Sequence, residues 1–186
     1  MNIRPATHDD DGFLRKMLYE AAAWNPDWLK ERMIEALADP VLERYHRDWG
    51  REGDAGVIAE LDGEPVGAAW YRLFTSDEPG YGFVDEKTPE LGIAVVPLHR
   101  RRGIGETLLR ALMVQAREDG FHALSLSVAV HNRSRMMYER VGFARAREDD
   151  DGETWVMRAD LDESLRSTPD APPMEVGEQP LADPRS

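Results

Sequence analysis

The segment Val95-Val96-Pro97-Leu98-His99-Arg100-Arg101-Arg102-Gly103-Ile104-Gly105-Glu106-Thr107-Leu108-Leu109 holds the end of one element and the start of another. Pro97 follows two β-branched residues and has no N–H to give to a sheet, so a strand should end there. From Ile104 onward the apolar residues recur at helical spacing, at Leu108, Leu109, Leu112 and Met113. The segment therefore predicts a buried strand, a short turn and a helix.

The turn in this segment has the features of an anion site. The first turn of a helix leaves backbone N–H groups free and bears a partial positive charge. Gly103 and Gly105 have no Cβ, so an anion can approach that backbone closely. Arg100, Arg101 and Arg102 add positive charge in a chain whose formal net charge is −13. The turn therefore predicts a binding site for a phosphate or pyrophosphate group.

Two common phosphate-binding loops do not fit this turn. No Gly-Lys-Ser/Thr follows it, which excludes a P-loop, and the third glycine of the dinucleotide fingerprint would fall at Leu108. A second block, from Asn132 to Phe143, reads Asn-Arg-Ser-Arg-Met-Met-Tyr-Glu-Arg-Val-Gly-Phe. The two blocks resemble the acetyl-CoA loop and the Asn…Leu-Tyr-Glu…Gly-Phe segment of the GNAT-type N-acetyltransferases, with Met137 at the usual leucine position. The resemblance covers residues 2–161.

The resemblance implies an α/β (α+β) fold of the GNAT type. Such a fold has a mixed, mostly antiparallel sheet of six to seven strands, about four to five flanking helices and a central pair of splayed parallel strands. We expect one GNAT domain over residues 1–161 and an acidic, proline-rich, disordered or loosely draped tail over residues 162–186.

The local patterns place the elements along the chain. Asp62-Gly63 between two apolar runs predicts a tight hairpin. The strands should span residues 2–6, 56–61, 66–74, 88–96, 123–130, 143–147 and 154–159. The helices should span a segment capped by Thr7, residues 26–38, a short stretch from Asp39-Pro40 to about Trp49, residues 104–118 and residues 133–140, with Asn132 as the last cap. Residues 75–86 should form a loop, which is long for a hairpin connection.

Composition narrows the class of protein. A chain of 186 residues that is 41% hydrophobic and 32% charged suits a soluble globular domain. The chain has no cysteine and its histidines show no metal-ligand spacing, so we expect no metal and no cysteine nucleophile. The acidic balance argues against nucleic acid as a partner. We see no signal peptide or membrane span, and we expect a cytoplasmic protein that does not bind membranes.

By resemblance, acetyl-CoA is the expected cosubstrate. Its pyrophosphate would lie on the backbone amides from Arg102 through Gly103 and Ile104 to Gly105, near Arg100 and Arg101. Its pantetheine would pair with the backbone of Ile93 and Val95 and would form a hydrogen bond with Asn132. The amide of Val95 is the expected donor to the oxyanion. Domains of this family commonly pair, so a homodimer is a further expectation.

The resemblance names Tyr138 as the catalytic acid. A phenol keeps its proton at neutral pH and can give it to the departing thiolate. A tyrosine that only packs on its helix is the alternative. Glu90, at the start of the central strand, is the expected base, although Asp85 and Glu86 are nearby and one residue of register would turn its side chain to the other face. A glutamate that only bonds the neighbouring backbone is the alternative.

The amine acceptor is less defined. Trp24 and Trp28 lie where the family forms its acceptor pocket, although both would also suit the core, and Tyr71 is a third candidate for that pocket. We expect direct transfer from acetyl-CoA to a primary amine of a small molecule or a protein in a ternary complex. Acidic residues in the loop 75–86 hint at a cationic acceptor. The alternatives are a non-catalytic CoA-binding sensor or interaction module, and a transferase that uses a larger acyl-CoA.

Overall fold

A seven-stranded sheet forms the centre of the molecule. We analysed a computed structural model, which describes residues 1–23, 33–148 and 152–162. The strands are β1 (Asn2–Pro5), β2 (Ala55–Leu61), β3 (Glu64–Arg72), β4 (Glu90–Val95), β5 (Ala123–Ala129), β6 (Ala144–Glu148) and β7 (Thr154–Asp160). Their spatial order is β1-β2-β3-β4-β5-β7-β6.

Every neighbouring pair of strands is antiparallel except the central pair β4–β5. That pair is parallel because a helix joins its members and returns the chain to the same edge. The predicted fold class, a mostly antiparallel mixed sheet with one central parallel pair, is confirmed. The hairpin predicted at Asp62-Gly63 is also present, and both residues have positive φ, 53° and 83°, as a tight two-residue turn requires.

Helices cover both faces of the sheet. In the described residues they are α1 (Asp11–Ala22), α2 (Met33–Leu37), α3 (Pro40–Glu43), α4 (Ile104–Glu118) and α5 (Arg135–Arg140). Leu14, Met17 and Leu18 of α1 join Ile58 and Trp70 of the sheet in one apolar core. The other face packs against the apolar stripe of α4, with Leu108, Leu109, Leu112 and Met113 fully buried. Strand alternation explains the two cores, because successive side chains point to opposite faces.

Two helices differ from the sequence prediction. The helix that begins at Pro40 ends at Glu43 instead of continuing to about Trp49. The guanidinium of Arg72 donates hydrogen bonds to the carbonyls of Arg44 and Arg47 at 2.7 and 2.8 Å, so these carbonyls do not continue the helix. Asp48 also has a φ of 54°, which lies outside the α-helical region. Helix α5 begins at Arg135 with Ser134 at its N-cap position, and Asn132 instead closes the turn before it.

Several predictions concern residues outside those the structure describes. Trp24, Trp28 and most of the helix predicted over residues 26–38 belong to this group, as does the tail beyond residue 162. The division into a domain and a tail therefore stays a prediction. Among the described helices, none has the length and apolar character needed to cross a bilayer.

Candidate active site

The central strands separate soon after they meet. β4 and β5 share one register position, Glu90 with Ser125, and the Ser125 N–H donates to the Pro89 carbonyl at 2.9 Å. Beyond that position the two strands diverge without further pairing, although both lie wholly within the described residues. A gap between strands leaves backbone groups without sheet partners, so this is the splay that the family resemblance implies.

The backbone of β4 presents N–H groups to this gap. Val95 is the register partner of Gly67, while the Val96 N–H donates to the Val66 carbonyl at 2.9 Å. Because the hydrogen-bonding groups of a strand alternate between its two edges, the N–H groups of Ile93 and Val95 point away from β3 and toward β5. The predicted pantetheine contacts therefore lie on the open edge of β4.

The basic turn lies at the end of the gap. After Pro97 a short 3-10 turn leads through the three arginines to Gly103, whose φ of 80° begins α4 from the left-handed region. No backbone amide from residue 102 to residue 105 donates a hydrogen bond within the described part of the chain. These amides and the helix dipole form the kind of cradle that binds phosphate groups.

The three arginines differ in their contacts. Arg100 donates to the Val95 carbonyl at 2.9 Å and pairs with Glu20 of α1 at 2.7 Å, so it spans from the helix to the end of β4. Arg101 is exposed and has a φ of 63°, and it makes no hydrogen bond or ion pair with a described residue. Nη1 of Arg102 lies 3.5 Å from Nδ1 of His99.

Helix α5 lies against the beginning of α4. Arg140 pairs with Glu106 at 3.2 Å, and a Cβ on Gly105 would lie 3.5 Å from the sulfur of Met137. The two motif blocks, which are separate in the sequence, therefore meet in the structure. Asn132 is half-buried just before α5, and its Oδ1 accepts the Ser134 N–H at 2.9 Å.

Tyr138 is the buried residue of α5. Its ring packs edge-to-face on Phe143 with 6.0 Å between centroids and belongs to the core on the α4 face. Burial raises the pKa of Tyr138 above its ordinary value, so the phenol stays protonated. Its hydroxyl makes no hydrogen bond to any described residue, which leaves it free to donate to a bound group.

Glu90 lies on the opposite face of the sheet. It shares the parity of Ala94 in β4 and therefore faces the core formed with α1. Its side chain is buried, and Oε1 accepts the hydroxyl of Tyr45 at 2.9 Å. Oε2 is also buried and makes no hydrogen bond of good geometry with a described residue, although the Gly82 N–H lies near the carboxyl.

Burial controls the acidity of Glu90. It raises the pKa of this carboxyl from 4.5 to about 7, while the Gly82 amide, the Tyr45 hydroxyl and the charge of Arg147 act in the opposite direction. The neighbouring carboxylates are engaged elsewhere, since Glu86 accepts from the N–H and hydroxyl of Ser76 and Asp85 accepts from the Lys87 N–H. Of the three carboxylates considered from the sequence, Glu90 has the buried position and raised pKa typical of a general base.

Tyr71 does not approach the basic turn. It pairs with Leu91 in the sheet, at the far end of β4, and its hydroxyl donates to Asp119 at the end of α4. Its ring packs edge-to-face on Phe121 with 5.5 Å between centroids. Its place in an acceptor pocket stays a prediction, as do those of Trp24 and Trp28, which lie outside the described residues.

Sequence reasoning missed Tyr45 and Arg72, which lie beside Glu90, and Asp54, which pairs with Arg72. Tyr45 follows α3 and reaches the carboxylate from a distant part of the chain. Arg72 and Asp54 form an ion pair whose side chains are 1% and 0% exposed, with a 2.8 Å bond from Arg72 Nε. An arginine at the end of the apolar run Val66–Tyr71 is the one sequence signal that could have drawn attention to this cluster.

The splayed parallel pair ends at a glycine-bearing helix start, with a phenol buried on one face of the sheet and a carboxyl buried on the other, as expected for an acyltransferase. The model of the Acetyltransferase (GNAT) family matches residues 18–143 of this chain. The chain belongs to that family.

Relatives are found among curated proteins and solved structures. The [ribosomal protein bS18]-alanine N-acetyltransferase of Haemophilus influenzae is 38% identical over 60 residues, which are 32% of this chain and only 40% of that protein. The crystal structure of the ribosomal-protein-alanine N-acetyltransferase from Brucella melitensis is 25% identical, with a TM-score of 0.62 over 86% of this chain and 99% of that one. A putative acetyltransferase from Salmonella typhimurium, solved with its cofactor acetyl-CoA, shares the fold at 23% identity, with a TM-score of 0.64 over 92% of this chain and 98% of that one.

Proposed function

We propose that this protein transfers an acetyl group from acetyl-CoA to a primary amine by direct attack in a ternary complex. The observation that carries the proposal is the gap between β4 and β5. The N–H groups of Ile93 and Val95 border it. Glu90 lies at its start and faces the α1 core, and Tyr138 lies in the core on the opposite face of the sheet. Each requirement of acyl transfer to an amine, namely an oxyanion donor, an acid and a base, then has a candidate group.

The residues present suit acetyl-CoA. The unpaired amides of residues 102–105 and the nearby arginines match a diphosphate, and the open edge of β4 matches the amides of a pantetheine arm. When bound, acetyl-CoA supplies a thioester whose carbonyl carbon bonds to the amine nitrogen as the carbon–sulfur bond breaks. The protein holds this donor, stabilises charge and moves protons.

Two amides are candidates for the oxyanion donor. Ile93 is three residues from Glu90 along β4, about 10 Å, and Val95 is five residues away, about 17 Å. The carbonyl must lie close to the incoming amine and hence to the base. The shorter separation therefore favours Ile93 over Val95, the donor that the family resemblance suggested.

Glu90 serves as the base in this proposal. Its carboxylate takes a proton from the acceptor ammonium, so that the neutral amine can attack. With a pKa of about 7, half of this carboxyl is ionised near neutral pH. Tyr138 gives its proton to the thiolate as the carbon–sulfur bond breaks. The nitrogen of the new amide releases its extra proton to solvent, and solvent returns a proton to the phenol.

The acidity of Glu90 also favours one class of acceptor. A protein α-amino group has a pKa near 7.7 to 8.0, whereas a lysine or polyamine ammonium is near 10.4. Proton transfer to a carboxylate of pKa about 7 is therefore far less uphill from an α-ammonium. The two similar proteins named for ribosomal-protein alanine acetylation support the same choice. We therefore propose the N-terminal amine of a protein as the acceptor.

Thiol release from acetyl-CoA tests the proposal. The panel compares a peptide with an N-terminal alanine, the same peptide blocked at its N-terminus but carrying a lysine, and spermidine. We expect release with the free N-terminal peptide, and about a 100-fold lower kcat for Tyr138→Phe with unchanged CoA affinity. CoA binding without thiol release from any acceptor would overturn the proposal and favour a sensor. A higher kcat/KM with a longer acyl-CoA than with acetyl-CoA would show that the longer acyl-CoA is the donor.

A further inference from the structure

The hydroxyl of Tyr45 joins the proposed base to the loop that covers it. This phenol donates to Glu90 Oε1 at 2.9 Å and accepts the backbone N–H of Tyr81 at 2.6 Å. Burial raises the pKa of Tyr45 well above its ordinary value, so its hydroxyl remains a donor at every physiological pH. Because one oxygen makes both bonds, the position of the carboxylate is tied to the position of the loop 75–86.

The turn that carries Tyr45 is itself held from the sheet. Arg72, the register partner of Glu90, donates to the carbonyls of Arg44 and Arg47 on either side of Tyr45. Its partner Asp54 completes the neutralisation of this buried charge. The ring of Tyr45 packs edge-to-face on Phe74, with 4.9 Å between centroids, and is stacked with Tyr81. These contacts leave the phenol little freedom to turn away.

The two oxygens of Glu90 are consequently different. Oε1 is occupied by the Tyr45 donor, while Oε2 is buried and makes no hydrogen bond of good geometry with a described residue. A Cβ on Gly80 would overlap Oε2 and would lie 2.7 Å from the hydroxyl of Tyr45, so the loop backbone passes directly over the pair. Oε2 is therefore the oxygen of the carboxylate left to take a proton, and an acceptor reaches it when the loop 75–86 moves aside.

We propose that Tyr45 is a positioning residue for acyl transfer, which directs the proton of the acceptor amine to Oε2 of Glu90 and couples the position of the base to the position of the loop 75–86. The proposal rests on the proposed function, in which Glu90 is the base. In the step itself the N–H bond of the ammonium breaks and an O–H bond forms at Oε2, while Tyr45 keeps its own proton.

Other charged and titratable groups face Glu90 from several elements. Arg72 lies beside it on β3, Tyr81 and the Gly82 amide lie above it on the loop, and Arg147 of β6 lowers the pKa of its carboxyl through its positive charge. Ser125 is its register partner on β5. A test of Tyr45 must therefore change its hydroxyl and leave these groups in place.

The test measures the acidity of Glu90 directly. In protein labelled with ¹³C at glutamate carboxyls, the Glu90 signal is assigned by its loss in Glu90→Gln and titrated in the wild type and in Tyr45→Phe. Loss of one hydrogen bond to the carboxylate should raise the pKa of Glu90 by about one unit. The acid limb of the kcat/KM profile should move by the same amount, which is about a fivefold loss at neutral pH that disappears in base.

Two further proteins keep the test decisive. Tyr81→Phe retains the ring and the backbone N–H, so it should leave the pKa of Glu90 unchanged. If Tyr45→Phe does not fold, a ring-fluorinated tyrosine at position 45 keeps the shape and strengthens the donor, and it should lower the pKa of Glu90. An unchanged Glu90 pKa in both position-45 proteins would overturn the proposal. The proposed function fails separately, if Glu90→Gln transfers acetyl groups as fast as the wild type.

Discussion

Glu90 is a titratable side chain whose burial makes its ionisation depend on the folded state. Its pKa is raised from 4.5 to about 7 in the folded chain, so the folded protein binds this proton more tightly than the unfolded chain does. A raised carboxyl pKa contributes stability that is fully present below pH 4.5 and is lost as the pH rises through about 7. The stability of the protein should therefore fall across this window because of one residue.

Glu90→Gln removes that dependence because glutamine does not ionise. Between about pH 5 and pH 8 we expect the wild type to lose on the order of 3 kcal/mol of unfolding free energy relative to the variant. Urea unfolding at several pH values measures the two slopes. Glu86→Gln is the matched control on the exposed loop, and it should retain the wild-type slope. If the unfolding free energies of the wild type and Glu90→Gln depended on pH in the same way, the pKa of Glu90 would not be raised by folding.

At the level of single residues, the sequence predicts what lies within short motifs and misses what distant segments bring together. The residues from Arg100 to Gly105 and Tyr138 fall in two compact blocks, so a family pattern is enough to place them. Tyr45 reaches Glu90 across 45 positions of sequence, and a tyrosine in a turn has no pattern of its own. The face of the sheet on which the Glu90 side chain lies could not be predicted from the sequence either, because it depends on the register of β4.

The loop 75–86 is the element that decides how closed the site is. Gly82 lies between the carboxyl of Glu90 and the backbone of β5. A Cβ at this position would come 2.5 Å from the carbonyl carbon of Leu126 and 2.7 Å from the N–H nitrogen of Ser127. Neither contact is with a flexible side chain, so the loop itself would have to move.

Gly82→Ala should therefore lift the loop from Glu90. We expect the unfolding free energy to fall by about 1 to 3 kcal/mol, as for an overpacked core, together with a lower kcat. Gly12→Ala is the matched control, because nothing lies within 4 Å of its Cβ position in α1, and it should be neutral or up to about 1 kcal/mol more stable. Equal stability of the two variants by thermal and urea unfolding would contradict this account of the loop.

Elements with strong local signals were predictable and those shaped by tertiary contacts were not. Helix α4 has an unbroken apolar stripe and a glycine at each end, and its bounds, Ile104–Glu118, match the prediction. The predicted third helix ends at Glu43 because buried Arg72 donates hydrogen bonds to backbone carbonyls of the following turn. Propensity alone could not show this, since the arginine comes from another part of the chain.

At the scale of the whole molecule, the protein has a net charge of the same sign as its expected ligand. The formal net charge is −13, whereas CoA is itself a polyanion, so the average field of the protein opposes its approach. The turn 100–102 reverses this field locally. Arg100 is engaged with Glu20 at 2.7 Å, and its charge is partly offset there, while Arg101 is exposed and unpaired among the described residues. Arg101 should therefore supply much of the attraction that remains.

Arg101→Ala should weaken CoA binding without disturbing the fold, since this side chain bonds no described residue. Loss of one charge near a phosphate corresponds to about 1 kcal/mol, or about a fivefold higher Kd in low salt. The difference should shrink in about 1 M salt, where the Debye length falls to about 3 Å. Arg117→Ala is the matched control, because it changes the net charge equally at the other end of α4, where Arg117 lies 3.6 Å from Asp162. Calorimetric titration with CoA compares each of the two variants with the wild type at low and at high salt. An equal loss for both variants would mean that the overall charge of the protein, and not the turn at the start of α4, governs CoA binding.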